Sequence, residues 1–174
     1  MQKNLLIMSE MPQYFVDLAD KNFNTHKLWL QDDEDKFISE IQEKVDAIAV
    51  MGGYKITPEL MKSMTNLKII ACYGVGYDAI DIAYAKSLGI KVTNTPEVLN
   101  DEVADTAIAL MLCVYRKILE ADKFARNNSW INGEFPLTKK FSGSKLGIVG
   151  MGRIGKAIAK RAEAFNCTIS YHSR

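Results

Sequence analysis

The stretch from Lys145 to Phe165, KLGIVGMGRIGKAIAKRAEAF, limits the possible folds of this chain more than any other. A short apolar run leads into three glycines at G-x-G-x-x-G spacing, and apolar residues then recur at helical intervals, so the segment reads as strand, tight turn and helix. Each glycine has its own reason. Gly150 permits the tight turn, Gly152 lets the backbone approach a phosphate, and Gly155 lets the helix lie close against the strand. The N–H groups near Arg153 and Ile154 then face an anion at the helix start. The spacing alone is weak evidence, but between a strand and a helix it points to a dinucleotide pyrophosphate. The competing reading is a glycine-rich loop that binds nothing.

The rest of the chain alternates short apolar runs with amphipathic stretches, which is the α/β pattern. Leu5–Met8, Lys27–Leu30, Ala47–Met51, Leu67–Tyr73 and Ile90–Asn94 read as five strands. Between them, DKFISEIQEKV places Phe37, Ile38, Ile41 and Val45 on one helical face. These elements predict a parallel, doubly wound, flavodoxin-like sheet over residues 1–99. The acidic run Asp32, Asp33, Glu34, Asp35 reads as a helix N-terminus, where carboxylates favour the dipole.

Composition narrows the function classes. The 174 residues are 48% hydrophobic and carry a formal charge of +1, which suits a soluble chain with no field to attract nucleic acid or an anionic membrane. Cys72, Cys113 and Cys167 lie far apart in apolar runs, as expected of buried thiols in a reducing, cytosolic compartment. MQKNLLIMSE has too short an apolar run for a signal peptide or a membrane span.

After VTNTP the organisation changes, and residues 100–174 are expected to begin a second, Rossmann-type domain. The segment 101–126 reads as one long helix. Val103, Ala107, Leu110, Met111, Val114 and Ile118 form a stripe, while Ile108, Leu112 and Leu119 lie off it, so cover from more than one side is expected. The cover is either a second subunit or the two halves of one chain. A second glycine turn, ACYGVGYDAID, ends a strand at Gly74, Val75 and Gly76, with a helix expected from about Asp78. Its backbone amides could hold a small carboxylate, although glycine at a strand end also serves steric needs alone. The strand CTISY runs into His172, Ser173 and Arg174 where an acid would hold the ribose hydroxyls of NAD(H). A hydroxyl and a guanidinium suit a 2′-phosphate, so NADP(H) is favoured, with NAD(H) as the alternative. Arg174 could also be simply solvated.

GVGYDAIDI, VTNTPEVLNDEVADTAIALML, Trp130 with INGEFPLTKKFSGSKLGIVGMGRIG, and ISYHSR together resemble the D-isomer-specific 2-hydroxyacid dehydrogenase family. The last two are most similar to its NADPH-preferring hydroxypyruvate/glyoxylate reductase branch. The likeness runs from about residue 65 to the last residue, and the first sixty resemble the family in layout more than in motif. It implies reduction of a small 2-oxo acid, or oxidation of the 2-hydroxy acid. The amides of Val75 and Gly76 would bind the substrate carboxylate, the glycine motif with Ser173 and Arg174 would bind the cofactor, and the 101–126 helix would form a homodimer.

Family members carry a substrate-binding Arg, a Glu and a His in later parts of the cofactor domain, and these have no counterpart among the 174 residues. The two histidines are His26, read as a surface or packing residue, and His172 in the cofactor-selecting turn. No residue of the chain is therefore assigned a catalytic role. The expectation is a C-terminally truncated chain that is inactive alone. The alternative is a non-enzymatic relative acting as an interaction or regulatory subunit.

Overall fold

The computed structural model describes residues 2–174 in two compact units, 2–96 and 97–174. In the first unit the order is β1 (Asn4–Ile7), α1 (Gln13–Asn22), β2 (Asn24–Lys27), α2 (Glu34–Ile41), β3 (Ala47–Met51), α3 (Pro58–Ser63), β4 (Ile69–Tyr73), α4 (Ile82–Ser87) and β5 (Lys91–Thr93). The strands form one parallel sheet in the order β2-β1-β3-β4-β5, the flavodoxin-like arrangement. Register follows the apolar pattern, with Leu6 opposite Ile48 and Ile48 opposite Ile70.

Strand side chains alternate between two apolar layers. Leu6, Met8, Ile48, Val50, Ile70 and Cys72 meet Ile41, Met61 and Ala85 from α2, α3 and α4. Leu5, Ile7 and Ala49 meet Val16 and Ala19 from α1 on the opposite face. Leu6, Ile7, Ile48 and Ile70 are fully buried, each contributing about 1.5–3 kcal/mol of transfer free energy. Because α1 covers one face and the next three helices the other, the crossover direction reverses between β1 and β3. Ligands of such sheets bind at the carboxyl ends of the strands.

Local signals set most helix starts. Asp33 accepts the N–H of Lys36 at the start of α2, with Glu34 and Asp35 in the first turn, so the acidic run is a helix N-terminus. Thr57 caps α3 ahead of Pro58. Apart from shifts of one or two residues at the ends of β1, β4 and β5, three boundaries differ from expectation. The second strand is Asn24–Lys27, and Leu28–Leu30 form a 3-10 turn that buries Leu28 in the core and leaves Leu30 exposed. Helix α2 stops at Ile41, and Val45 reaches the core from the following turn. Helix α4 starts at Ile82 because Asp81, not Asp78, accepts the N–H of Tyr84.

Asp46 ties the start of β1 to β3. Its carboxylate accepts the Asn4 N–H at 2.9 Å and pairs with Lys3 at 2.7 Å, and the Lys3 ammonium and Asn4 N–H hold its pKa below the ordinary value. A lowered folded pKa stabilises the native state above the unfolded value and loses that stabilisation as pH falls through the folded one. Asp46→Asn is therefore expected to lower the thermal midpoint at neutral pH, with the gap from wild type closing below about pH 4. Parallel melting curves across pH 3–7, with no closing gap, would refute it.

The second unit contains α5 (Asn100–Arg116), α6 (Ile118–Arg126), β6 (Lys145–Val149), α7 (Arg153–Glu163) and β7 (Thr168–His172). Strands β6 and β7 pair in parallel, with Val149 opposite His172. Helix α5 packs on α7, and Arg161 of α7 reaches Asp101 at 3.0 Å and Asp105 of α5. Phe141 is buried edge-on against Tyr115 and Phe165 at 5.3 and 5.1 Å.

The expected single helix over 101–126 is broken at Lys117, which is left-handed (φ 49°) and donates its N–H to Cys113 O. One left-handed residue costs on the order of 1–2 kcal/mol and leaves the apolar spacing almost undisturbed, so periodicity does not reveal it. Ile108, off the stripe, is buried together with Ala104. The stripe residues Leu110 and Val114 are 61% and 75% exposed.

Candidate functional site

The first candidate site is the loop that continues β4. Gly52, which follows β3, donates its N–H to Tyr73 O at 3.1 Å, and the two strand ends come together there. A Cβ on Gly74 would stand 2.9 Å from Gly52 Cα and 3.2 Å from Gly52 N, so the close approach of two main chains demands glycine. At Gly76 a Cβ would meet only Asp78 Oδ2, at 3.8 Å. Gly76 is thus not required by packing within the chain.

Three consecutive carbonyls of this loop are occupied. Thr95 N–H donates to Gly74 O at 2.9 Å, Asn94 Nδ2 donates to Val75 O at 2.8 Å, and the Cys72 thiol donates to Gly76 O at 3.4 Å. Burial pushes the Cys72 thiol up, which keeps it protonated and able to donate. No hydrogen bond among the described residues uses the N–H of Val75 or Gly76, and both residues are exposed. Exposed, unpaired successive amides are able to donate to a small anion. Gly52, Asn94 and Thr95 were not singled out from the sequence as site residues. Their signals are the GGY after the third strand and the NTP after the fifth, which acquire meaning only when the strands are side by side. On the α1 side, the Tyr14 and Tyr73 hydroxyls share a hydrogen bond, and Phe15 packs edge-on against Tyr73.

The second candidate site lies wholly in the second unit. Gly150 has φ +95°, a conformation that favours glycine, and its N–H donates to His172 O at 2.8 Å. A Cβ on Gly155 would run into the Gly150 carbonyl oxygen, so helix and turn are in direct contact. Gly152 is the N-cap of α7 with no side-chain hydrogen bond, and a Cβ there would meet nothing within 4 Å. The first-turn N–H groups, at Arg153 and Ile154, have no intrahelical acceptor by geometry. Open space before unpaired amides at the positive end of a helix fits a pyrophosphate. Arg153 pairs with Glu97 at 2.9 Å, and both side chains are exposed, so this contact contributes little to stability.

Ser173 and Arg174 follow directly from His172, whose carbonyl accepts the Gly150 N–H, and both are exposed. His26 sits on β2, with Nε2 3.1 Å from Asn4 Oδ1. Burial and Lys44 hold its pKa below the ordinary histidine value. Among the described residues no cluster of three or more His, Cys, Asp or Glu could hold a metal ion, and no helix is long and apolar enough to cross a membrane.

Residues 5–169 match the family model described as D-isomer specific 2-hydroxyacid dehydrogenase, catalytic domain. The chain belongs to this family. Among curated members it is 41% identical over 170 residues to glyoxylate/hydroxypyruvate reductase A of Arabidopsis thaliana, covering 98% of this chain and 54% of that protein. It is 41% identical over 182 residues to the glyoxylate reductase of Thermococcus litoralis, covering 100% and 55%. Among solved structures, the NADPH-dependent glyoxylate/hydroxypyruvate reductase of Sinorhizobium meliloti, in complex with NADP and malonate, superposes with a TM-score of 0.88 at 38% identity. That match covers 100% of this chain and 54% of the other. The chain spans about half the length of the 2-hydroxyacid dehydrogenases it matches. Its α/β fold with a parallel sheet is the fold of these relatives.

Proposed function

We propose that this chain forms the substrate-binding domain and the opening of the cofactor domain of an NADPH-dependent reductase acting on glyoxylate, hydroxypyruvate or a similar 2-oxo acid. The observation that carries the reading is the loop at Val75 and Gly76, where two exposed amides are free while the carbonyls around them are tied back. It offers a 2-oxo acid two fixed donors for its carboxylate. NADPH would supply the hydride. The N–H groups of Arg153 and Ile154, with Gly150, Gly152 and Gly155, would hold the pyrophosphate, and Ser173 and Arg174 a 2′-phosphate. The relatives named for glyoxylate and hydroxypyruvate, and the NADP-bound neighbour, support this choice. The two compact units, which divide between Pro96 and Glu97, hold one candidate site each, in keeping with a division near residue 100. The exposed stripe of Val103, Leu110, Val114 and Ile118 offers a face for a homodimer, and the free cysteines suit a cytosolic protein.

The test is a chimera in which this chain is continued by the remaining part of the Thermococcus litoralis relative. It is expected to reduce glyoxylate or hydroxypyruvate with NADPH. In it, Arg174→Ala is expected to weaken NADPH by about 1.5–3 kcal/mol, the worth of a charge-assisted contact, and NADH far less. Equal losses for both cofactors would remove the ground for preferring NADPH. A soluble chimera without turnover on any small 2-oxo acid would remove the reductase reading itself.

A further inference from the structure

We infer that Asn94, the first residue after β5, is a positioning residue for the carboxylate-binding loop, acting through the carbonyl of Val75. The inference rests on the reading of that loop as the carboxylate site.

A peptide plane carries a carbonyl and the next N–H on opposite edges, so fixing one fixes the other. The Val75 carbonyl and the Gly76 N–H share one plane. Asn94 Nδ2 pulls that carbonyl toward β5 at 2.8 Å, which turns the Gly76 N–H away from the sheet toward solvent. The plane before it, with Gly74 O and the Val75 N–H, is fixed by the Thr95 N–H at 2.9 Å. Two adjacent residues after β5 thus set two adjacent peptide planes after β4. The Thr95 contact is main chain to main chain, whereas the Asn94 contact depends on its side chain. Beyond these two planes, the thiol of Cys72 reaches Gly76 O at 3.4 Å, a weaker donor at a longer distance.

Without the Asn94 amide, the plane between two exposed residues, one of them glycine, would be free to rotate. The Gly76 N–H would then point at the ligand only part of the time, and affinity would fall with that fraction.

The experiment is a glyoxylate titration of the 15N-labelled 174-residue chain, wild type against Asn94→Leu and Asn94→Ala, following the Val75 and Gly76 amides. Thermal melting is recorded for each protein. Wild type is expected to show saturable shifts at both amides. Both variants are expected to bind glyoxylate about tenfold more weakly, with the Gly76 amide already displaced before ligand is added and Leu6 and Ile48 unmoved. Leu and Ala differ in bulk but both lack the donor, so agreement between them assigns the effect to the hydrogen bond. Unchanged affinity in folded variants overturns the role of Asn94 and leaves the carboxylate reading standing. If the two amides of wild type do not respond to glyoxylate, the carboxylate reading falls and the Asn94 role with it. Variants that lose affinity only together with the core amides and the melting transition show a structural role and overturn positioning.

Discussion

Purified as the 174-residue chain, the protein is expected to leave NADPH unoxidised in the presence of hydroxypyruvate or glyoxylate. Hydride delivery to a ketone builds negative charge on its oxygen, so a site needs a cation to stabilise that charge and an acid to protonate it. Neither histidine of the chain can be assigned the acid role. His26 lies on β2, bonded to Asn4 and biased toward the neutral form, and His172 ends β7 beside the glycine turn. A site without its general acid is slower by about 10²–10⁴. One without the electrostatic clamp loses a further factor on the order of 10²–10³. The measurement is the loss of NADPH absorbance, and the chimera with the Thermococcus litoralis segment is expected to restore it. Turnover by the isolated chain, above that of an identically purified Gly76→Val control, would mean that groups within these residues perform the proton transfer.

Gly155→Val is expected to disrupt the second unit, and a paired variant separates this from ligand binding. A side chain at Gly155 collides with the Gly150 carbonyl. That turn cannot retreat easily, because the Gly150 N–H is held by His172 O at 2.8 Å. Helix α7 must therefore lift from the turn, at a cost of about 3 kcal/mol for an overpacked contact between main chains. Gly152→Ala adds its methyl group where nothing stands within 4 Å, at an ordinary backbone conformation of φ −76°. Melting curves are expected to show a destabilised second unit for Gly155→Val and a wild-type transition for Gly152→Ala. NADPH titration of the chimera should show binding lost in both. Tight binding by Gly152→Ala would place the pyrophosphate elsewhere.

Much of this chain is legible residue by residue, because the information is local. The alternation of apolar runs and amphipathic stretches gives five parallel strands with helical crossovers, since apolar periodicity decides which face each element buries. The glycine motif is equally legible, because strand, turn and helix are contiguous. The acidic run is legible as a cap because Asp33 and Lys36 lie three residues apart. Less was readable where two apolar uses compete. Leu28–Leu30 are as apolar as a strand but form a turn, and the left-handed break at Lys117 hides inside an unbroken period.

What the sequence by itself determined is the fold class, the glycine turn that opens α7 and the presence of a glycine loop after β4. Tertiary structure alone decided which polar groups of that loop are hydrogen-bonded. Gly52 and Gly74 are 22 positions apart, and only strand pairing brings their backbones close enough to exclude a Cβ. Asn94 and Thr95 reach Val75 and Gly74 because β5 lies beside β4, a neighbour relation that no local pattern encodes. The direction of an amide N–H depends on what holds the carbonyl of the same peptide plane. For the Val75 and Gly76 amides the holders, Thr95 and Asn94, come from the end of a different strand.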